Sequence, residues 1–165
     1  MSDLYCIDVN IILRFLLGDN EKLSPAAEAI MLDVEKGDLS VWCESVILAE
    51  VVWVLSSFYK VERVKITEFL LPLVQMEHFL MAEKDRMIHA LNLFSGSVPH
   101  FGDACLCAAA LDISEGRILS FDKKLKNVSG IVCKGFGTAD VSECVDLPEE
   151  EVRRLAEEMR GIAQG

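Results

Sequence analysis

Short apolar runs alternate with amphipathic segments along most of the chain. The first run, residues 4–7, predicts a strand buried on both faces, because such strands carry no polar alternation. Further short strands are predicted at residues 39–42, 78–82, 117–122 and 130–133. Apolar residues at helical spacing fill the stretches between these strands. Strands that alternate with helices predict an α/β fold, a three-layer α/β/α sandwich with a mainly parallel central sheet.

Glycine, proline and capping residues predict where the helices begin and end. The apolar stretch over residues 9–17 predicts a helix that Gly18 ends. Ser24 is predicted as the N-cap of the next helix, with Pro25 at its first position. Pro72 lies inside a later helical pattern, where it predicts a kink or an early end.

The C-terminal stretch differs in composition from the rest of the chain. Residues 1–147 carry the α/β pattern and are predicted to form one domain. Residues 148–165 are predicted to form a helical extension, because a proline and three glutamates begin it. An apolar stripe runs along this extension at Val152, Leu155, Ala156, Met159 and Ile162. The stripe packs either on the domain or on a partner, and the sequence leaves both open.

Acidic residues occupy four positions that the pattern makes unusual. Asp8 directly follows the first apolar strand, and Asp122 ends the strand at residues 117–122. Glu50 interrupts a helix that is otherwise almost entirely apolar. Asp103 opens a helix of small apolar residues. Because strand ends and helix starts share one edge of a parallel sheet, we expect these acids to gather there.

A cluster of carboxylates repels itself unless cations or protons compensate the charge. Hard oxygen ligands suit Mg²⁺ or Mn²⁺. Mg²⁺ keeps several water molecules, which can attack a phosphodiester. Asp8 and Asp103 are therefore the predicted direct ligands. Glu50 and Asp122 are predicted to hold metal-bound water or to orient the nucleophile, and sites with one metal and with two stay open.

The charge balance restricts how the protein can bind nucleic acid. The chain has 16 basic and 27 acidic residues, which gives a formal net charge of −11. This balance argues against binding through a basic surface alone. It does not exclude an enzyme that meets phosphate through bound cations.

No part of the sequence predicts a membrane segment or secretion. No apolar run approaches the roughly 18 residues of a transmembrane helix. The N-terminus lacks the basic start of a signal peptide. We therefore expect a cytoplasmic protein outside membranes, with part of its apolar surface covered by a partner. The six cysteines lack zinc-site spacing and are predicted to be reduced, buried thiols.

The segments that carry the four acids resemble those of PIN-domain ribonucleases. They are Ile7–Phe15, Leu48–Leu55, Phe101–Ala104 and Ser120–Lys124, in this order along the chain. The resemblance covers about residues 3 to 134 and is strongest to the VapC-type toxins of toxin–antitoxin pairs. It implies Mg²⁺- or Mn²⁺-dependent cleavage of RNA, a homodimer, and inhibition by a small antitoxin protein.

The resemblance also implies roles for individual residues. The acidic metal site corresponds to Asp8, Glu50, Asp103 and Asp122. The polar supporting positions correspond to Asn10 and Ser120. By charge, the candidates for contact with the RNA backbone are Arg14, Lys123 and Lys124, with a solvated face as the alternative. His100 stands where the family often has another acid, and it either contacts RNA or is a plain loop residue.

Other interpretations of a strand-end acid fit less well or stay open. A haloacid-dehalogenase-type phosphotransferase needs a second aspartate two residues after Asp8, where this chain has Asn10. A response-regulator receiver needs an early acid pair and a late strand-end lysine, which the sequence lacks. A PIN-domain nuclease in RNA processing stays open, as does an inactive PIN fold that acts in assembly. The small size of the chain favours the toxin.

Overall fold

A computed structural model of the protein describes residues 3–122, 124–134, 142 and 145–164. The chain divides into two compact units, Met1–Ala109 and Ala110–Gly165. Each unit contains a parallel sheet. Among the described residues, no helix is long and apolar enough to cross a membrane.

The first unit is built on a three-stranded parallel sheet. Its strands are β1 (Asp3–Cys6), β2 (Leu39–Trp42) and β3 (Phe79–Leu80), with β2 in the centre. Its helices are α1 (Val9–Leu17), α2 (Leu23–Lys36), α3 (Ser45–Ser57), α4 (Arg63–Gln75) and α5 (Lys84–Ser95). A further helix, α6 (Phe101–Ile113), begins in this unit. The register pairs Tyr5 with Val41 and Val41 with Phe79, so the carboxyl ends of the strands share one edge.

The second unit contains a two-stranded parallel sheet. Its elements are β4 (Arg117–Leu119), a 3₁₀ turn (Leu125–Asn127), β5 (Val132–Lys134) and helix α7 (Glu149–Gln164). Gly116 precedes β4 with a φ of +79°, and a Cβ there would lie 1.8 Å from the Gly130 carbonyl oxygen. The Val132 N–H donates to the Gly116 oxygen at 2.8 Å. The two strands therefore begin at a close contact that only glycine allows.

The described strands and helices confirm the predicted α/β class. The pairs β1–β2, β2–β3 and β4–β5 are all parallel, as the alternation of elements predicted. Helix α1 and strand β2 have the predicted bounds. The boundary after residue 147 between domain and extension remains a prediction, and α7 begins at Glu149.

The core of the first unit is formed by helices that pack on the sheet and on one another. Helix α1 contacts α2 and α3, and α4 contacts α5. The most buried side chains include Ile12, Leu48, Leu55, Leu70 and Phe79. Burial of each such side chain contributes about 1.5–3 kcal/mol relative to exposure. These contacts fix the helices on which the candidate site is carried.

Strand β1 is not buried on both faces, contrary to the prediction. All four of its residues are exposed, and Leu4 and Tyr5 are 59% and 57% accessible. The strand lies at the edge of the three-stranded sheet, and β2 is the element packed against it. An edge strand is flanked by fewer elements, and an apolar run does not by itself distinguish an edge from a centre.

Helix α2 begins at Leu23, so Ser24 is not its N-cap as predicted. Asn20 supplies the acceptor instead, because its Oδ1 accepts the N–H of Lys22 at 3.1 Å and that of Leu23 at 2.8 Å. Ser24 Oγ accepts the Asn20 N–H at 3.2 Å. The prediction was wrong because the Asn20 side chain takes the backbone N–H groups at this helix start.

Helix α4 runs through Pro72 without the predicted early end. Pro72 itself is exposed, whereas Leu70, Leu73 and Val74 are buried on either side of it. Proline removes one backbone hydrogen bond from a helix and crowds the preceding turn. The packing of the buried neighbours outweighs this local cost.

We expect Pro72→Ala to raise the free energy of unfolding by about 1–2 kcal/mol, because alanine restores an N–H inside the helix. The gain stays below the full propensity difference, since alanine gives the unfolded chain more freedom. Chemical denaturation measures the change. Gln75→Ala, an exposed substitution at the end of α4, is the control and is expected to shift stability by less than about 0.5 kcal/mol. A Pro72→Ala protein less stable than wild type would contradict the interpretation that Pro72 destabilises α4.

Candidate active site

Asp8 caps the helix that follows the first strand. Strand β1 ends at Cys6 and α1 begins at Val9, so Asp8 lies at the carboxyl end of the strand, as predicted. Its Oδ1 accepts a hydrogen bond from the Ile11 N–H at 3.0 Å. The cap satisfies an N–H that a helix start leaves unpaired, and the helix dipole favours a negative charge there.

The carboxylate of Asp8 is exposed and only partly used by the cap. Its Oδ2 makes no hydrogen bond to any residue that the structure describes. An oxygen in this state can still accept from water or coordinate a cation. The capping bond thus holds the Asp8 side chain in place and leaves Oδ2 available to a water molecule or a cation.

Glu50 lies in the middle of α3 and is exposed. Its neighbour one turn later, Trp53, is 65% exposed, and Ile47 and Val54 are partly exposed. The apolar residues around Glu50 therefore form an open helix face and not a buried pocket. A carboxylate on such a face keeps its charge in contact with water.

Asp103 lies in the first turn of α6. The helix begins at Phe101, so Asp103 is its third residue and does not open it. The Ala104 N–H donates to the His100 oxygen at 3.0 Å, which fixes the helix start. The half-buried Asp103 carboxylate is favoured at this positive end of the helix.

Asp122 belongs to the second unit, and the prediction that it ends a strand is wrong. Strand β4 ends at Leu119, three residues earlier. Ser120 Oγ accepts the Asp122 N–H at 3.0 Å, and Asp122 Oδ1 accepts the Lys124 N–H at 2.8 Å. These local bonds from side chain to backbone compete with the sheet and end the strand. Ser120 thereby fixes the backbone of Asp122.

The candidate acids are distributed over both units, with Asp122 in the second and the other three in the first. In residues 3–122, 124–134, 142 and 145–164, no three His, Cys, Asp or Glu side chains are grouped to hold a metal ion. The predicted gathering of all four acids therefore stays a prediction. The donor chemistry still fits Mg²⁺ or Mn²⁺, because exposed carboxylates are hard oxygen donors. Mg²⁺ needs only one or two of them beside its water molecules.

Three of the other predicted residues have simple environments or fall outside the description. Asn10 is exposed in the first turn of α1, two residues after Asp8. Lys124 is exposed, and its N–H contacts Asp122. Lys123 lies outside the described residues. The supporting and RNA-binding roles of these residues remain predictions.

Arg14 is held in a network that joins three parts of the first unit. Its Nη1 pairs with Asp19, and its Nη2 donates to Tyr59 Oη at 3.3 Å. Tyr59 Oη in turn donates to Asp19 Oδ2 at 3.0 Å. Hydrogen bonding to Tyr59, and then the charge of Asp19, raise the pKa of Arg14 above its ordinary value. Contact between Arg14 and RNA remains a prediction and would compete with this network.

The cysteines only partly fit the predicted set of buried thiols. Cys43 follows β2 directly and is buried, and burial and then the charge of Glu44 raise its pKa to about 12. At neutral pH it is a thiol and not a metal-binding thiolate. Cys6 is exposed, so the prediction is wrong there, because its strand lies at the sheet edge.

A groove that the sequence did not reveal lies along α3 in the first unit. Its volume is about 1030 Å³, and its lining includes Trp53, Lys60, Arg63 and His100. These residues come from α3, the turn after it, α4 and the approach to α6. Among them, the sequence pointed only to His100. The sequence did not point to Trp53, Lys60 or Arg63, because the groove forms only when separate segments of the chain pack together.

The described geometry defines an α/β protein with an exposed acid, Asp8, at a strand end and a half-buried acid, Asp103, in the first turn of a helix. The family model for the PIN domain matches residues 5–131. The chain belongs to the PIN domain family, whose members are commonly metal-dependent nucleases. This membership confirms the predicted PIN-like α/β/α fold and indicates a nuclease. A search of curated proteins gave no match.

We expect Asp8→Ala and Asp8→Asn to differ in stability, because only asparagine keeps an acceptor for the Ile11 N–H. Asp8→Ala is expected to lower the free energy of unfolding by about 1 kcal/mol, and Asp8→Asn by less than about 0.5 kcal/mol. Chemical denaturation measures both. Equal losses in the two variants would argue against the cap. Asp8→Asn thus removes the charge while keeping the helix start.

Proposed function

We propose that the protein is an endoribonuclease that cleaves RNA phosphodiester bonds with Mg²⁺ or Mn²⁺ and acts as the toxin of a toxin–antitoxin pair. Membership of the PIN family supports the nuclease activity. The observation that carries the proposal is Asp8, an exposed carboxylate fixed at a strand end with one oxygen outside the cap. A group placed in this way is held rigidly enough to bind a catalytic cation.

The acids of this chain have distinct tasks in the proposed reaction. Asp8 and Asp103 hold the cation from the starts of α1 and α6. Glu50 on α3 and Asp122, whose backbone is fixed by Ser120, would hold metal-bound water or orient the nucleophile. Asn10 supports the acids from α1. A bound Mg²⁺ or Mn²⁺ supplies an activated water and neutralises charge on the phosphate.

Exposed apolar surface supports the protein partners of the toxin proposal, a homodimer and a small antitoxin. On α7 the apolar stripe is open, with Leu155, Met159 and Ile162 at 41%, 71% and 81% exposed. The edge strand β1 exposes Leu4 and Tyr5 as well. Apolar patches of this kind mark surfaces that other proteins cover. The net charge of −11 suits an antitoxin segment that carries basic residues.

A second candidate function is a PIN fold without catalytic activity that acts in assembly. Direct measurement of RNA cleavage separates the two functions.

Purified protein is expected to cleave unstructured or looped RNA in Mg²⁺ or Mn²⁺ and to stop when EDTA is in excess. Asp8→Asn is expected to lower the rate by at least about 100-fold, since a metal ion provides several kcal/mol of transition-state stabilisation. Gel analysis of end-labelled RNA measures the rate, with DNA of the same sequence alongside.

Asp38→Asn is the matched control for this experiment. Asp38 is exposed just before β2, at the opposite edge of the same sheet, so its loss of charge should leave the rate unchanged. Cleavage at the wild-type rate in excess chelator, or by the Asp8→Asn protein, would contradict the proposed metal site. Cleavage of DNA alone would exclude a ribonuclease.

The toxin role predicts that induced wild-type protein stops bacterial growth and that the Asp8→Asn protein does not. Expression of a small open reading frame beside the gene should restore growth by supplying the antitoxin. Growth curves measure both effects, and sequencing of the new RNA 5′ ends identifies the target. Growth arrest by Asp8→Asn as strong as by wild type would contradict a toxin that acts through cleavage.

A further inference from the structure

The groove along α3, here called the basic groove, combines positive charge with exposed aromatic surface. It lies entirely in the first unit, between α3, the start of α4, α5 and the start of α6. Its volume of about 1030 Å³ exceeds what one small ion needs. Pockets of this size accept drug-sized ligands or part of a polymer.

Most of the lining is apolar, and its two charged side chains, Lys60 and Arg63, are basic, which favours an anionic ligand. Lys60, Arg63 and His100 line the basic groove, and none of its described lining residues is acidic. This is unusual in a chain with a net charge of −11. Positive charge is therefore concentrated in the groove against the trend of the whole chain.

Arg63 has an unmet hydrogen-bonding need in the groove. Its Nη1 is buried and finds no hydrogen-bond partner among the described residues. A buried donor without an acceptor destabilises the protein until something satisfies it. The planar guanidinium matches the oxygens of a phosphate group, which can accept two parallel hydrogen bonds from it. Arg63 lines the groove, so its guanidinium is placed to bind a phosphate there.

Trp53 gives the groove a surface on which a base can stack. The indole is 65% exposed, and Val46, about two turns earlier on α3, is 67% exposed. Single-stranded nucleic acids bind through this combination of a cationic groove and an aromatic platform. Bases within a duplex are stacked on one another and are not available to Trp53. The combination therefore favours an unpaired strand over a duplex or a small anion.

The basic groove adjoins two of the candidate acids along the chain. Glu50 follows the lining residue Ala49 and lies one turn before Trp53 on α3. Asp103 follows the lining residue Gly102 at the start of α6. A strand in the groove would thus contact the same two helices that carry these acids.

We propose that the basic groove binds an unpaired segment of the RNA substrate next to the cleavage site, with Arg63 and Lys60 on phosphates and Trp53 under a base. The choice of RNA as the ligand rests on the proposed function. The groove is a binding site and does not itself take part in bond cleavage. It would provide affinity for RNA that the net charge of −11 otherwise opposes.

The test is binding of a fluorescein-labelled, 12-nucleotide unstructured RNA to the full chain, by fluorescence anisotropy in EDTA without added metal. Arg63→Ala and Trp53→Ala are each expected to weaken binding by about tenfold. Arg63→Ala should also lower the slope of log affinity against log salt by about 0.7, the value for one lost phosphate contact. A 12-base-pair RNA duplex should bind more weakly than the single strand.

Lys65→Ala is the matched control. Lys65 lies on the same helix as Arg63, pairs with Glu68 at 2.7 Å and does not line the groove. The Lys65→Ala substitution removes one positive charge, as Arg63→Ala does, at a position two residues further along α4. It should leave the affinity for RNA unchanged. Circular dichroism of each variant verifies that the fold is intact.

Equal affinity of wild type, Arg63→Ala and Trp53→Ala, or an equal loss in Lys65→Ala, would overturn the proposal. A wild-type dimer that Trp53→Ala dissociates in sedimentation, with RNA affinity unaltered, would assign the groove to a second copy of the chain. RNA that binds in the groove but is not cut when metal is present would support the groove as a binding site and refute the proposed nuclease activity. Cleavage that Arg63→Ala and Trp53→Ala leave untouched, with binding unaltered, would retain the nuclease and refute the groove.

Discussion

The hydrogen bond from the Ile11 N–H to Asp8 Oδ1 joins the end of β1 to the start of α1. Because α1 packs on α2 and α3, its direction on leaving the strand influences where α3 lies. Helix α3 carries Glu50 and one wall of the basic groove. A single carboxylate therefore supports the local fold and stands in the position from which a cation would be bound. Its two tasks are compatible because they use different oxygens.

Two candidate acids and the basic side chains of the groove occupy different places in the first unit. Asp8 and Asp103 lie at helix starts, where the dipole stabilises a carboxylate without a paired cation. Arg63 and Lys60 line a groove whose described lining contains no acid. If both proposals hold, the acids would bind a cation and the groove would bind the RNA polyanion, so that neither set of charges neutralises the other.

The sequence predicted best those features whose signals are local. Helix α1 ends at Gly18 as predicted, because the φ of +61° there suits glycine. The prediction at Ser24 failed because the Asn20 side chain accepts the N–H groups at the start of α2. The early end predicted at Pro72 failed because its buried neighbours hold α4 together. The candidate acids were recognisable from their places in the pattern. Their mutual arrangement, the exposure of β1 and the basic groove depend on contacts between distant segments, which periodicity does not encode.

The capping bond also limits which metal Asp8 suits. One carboxylate oxygen accepts the Ile11 N–H, so the other is the one that a metal would use. Ca²⁺ takes roughly six to eight oxygen ligands and often uses both oxygens of a carboxylate, whereas Mg²⁺ keeps several waters and needs few carboxylates. The capped helix start therefore holds α1 in place and leaves Asp8 Oδ2 as the oxygen that the proposed Mg²⁺ or Mn²⁺ would use.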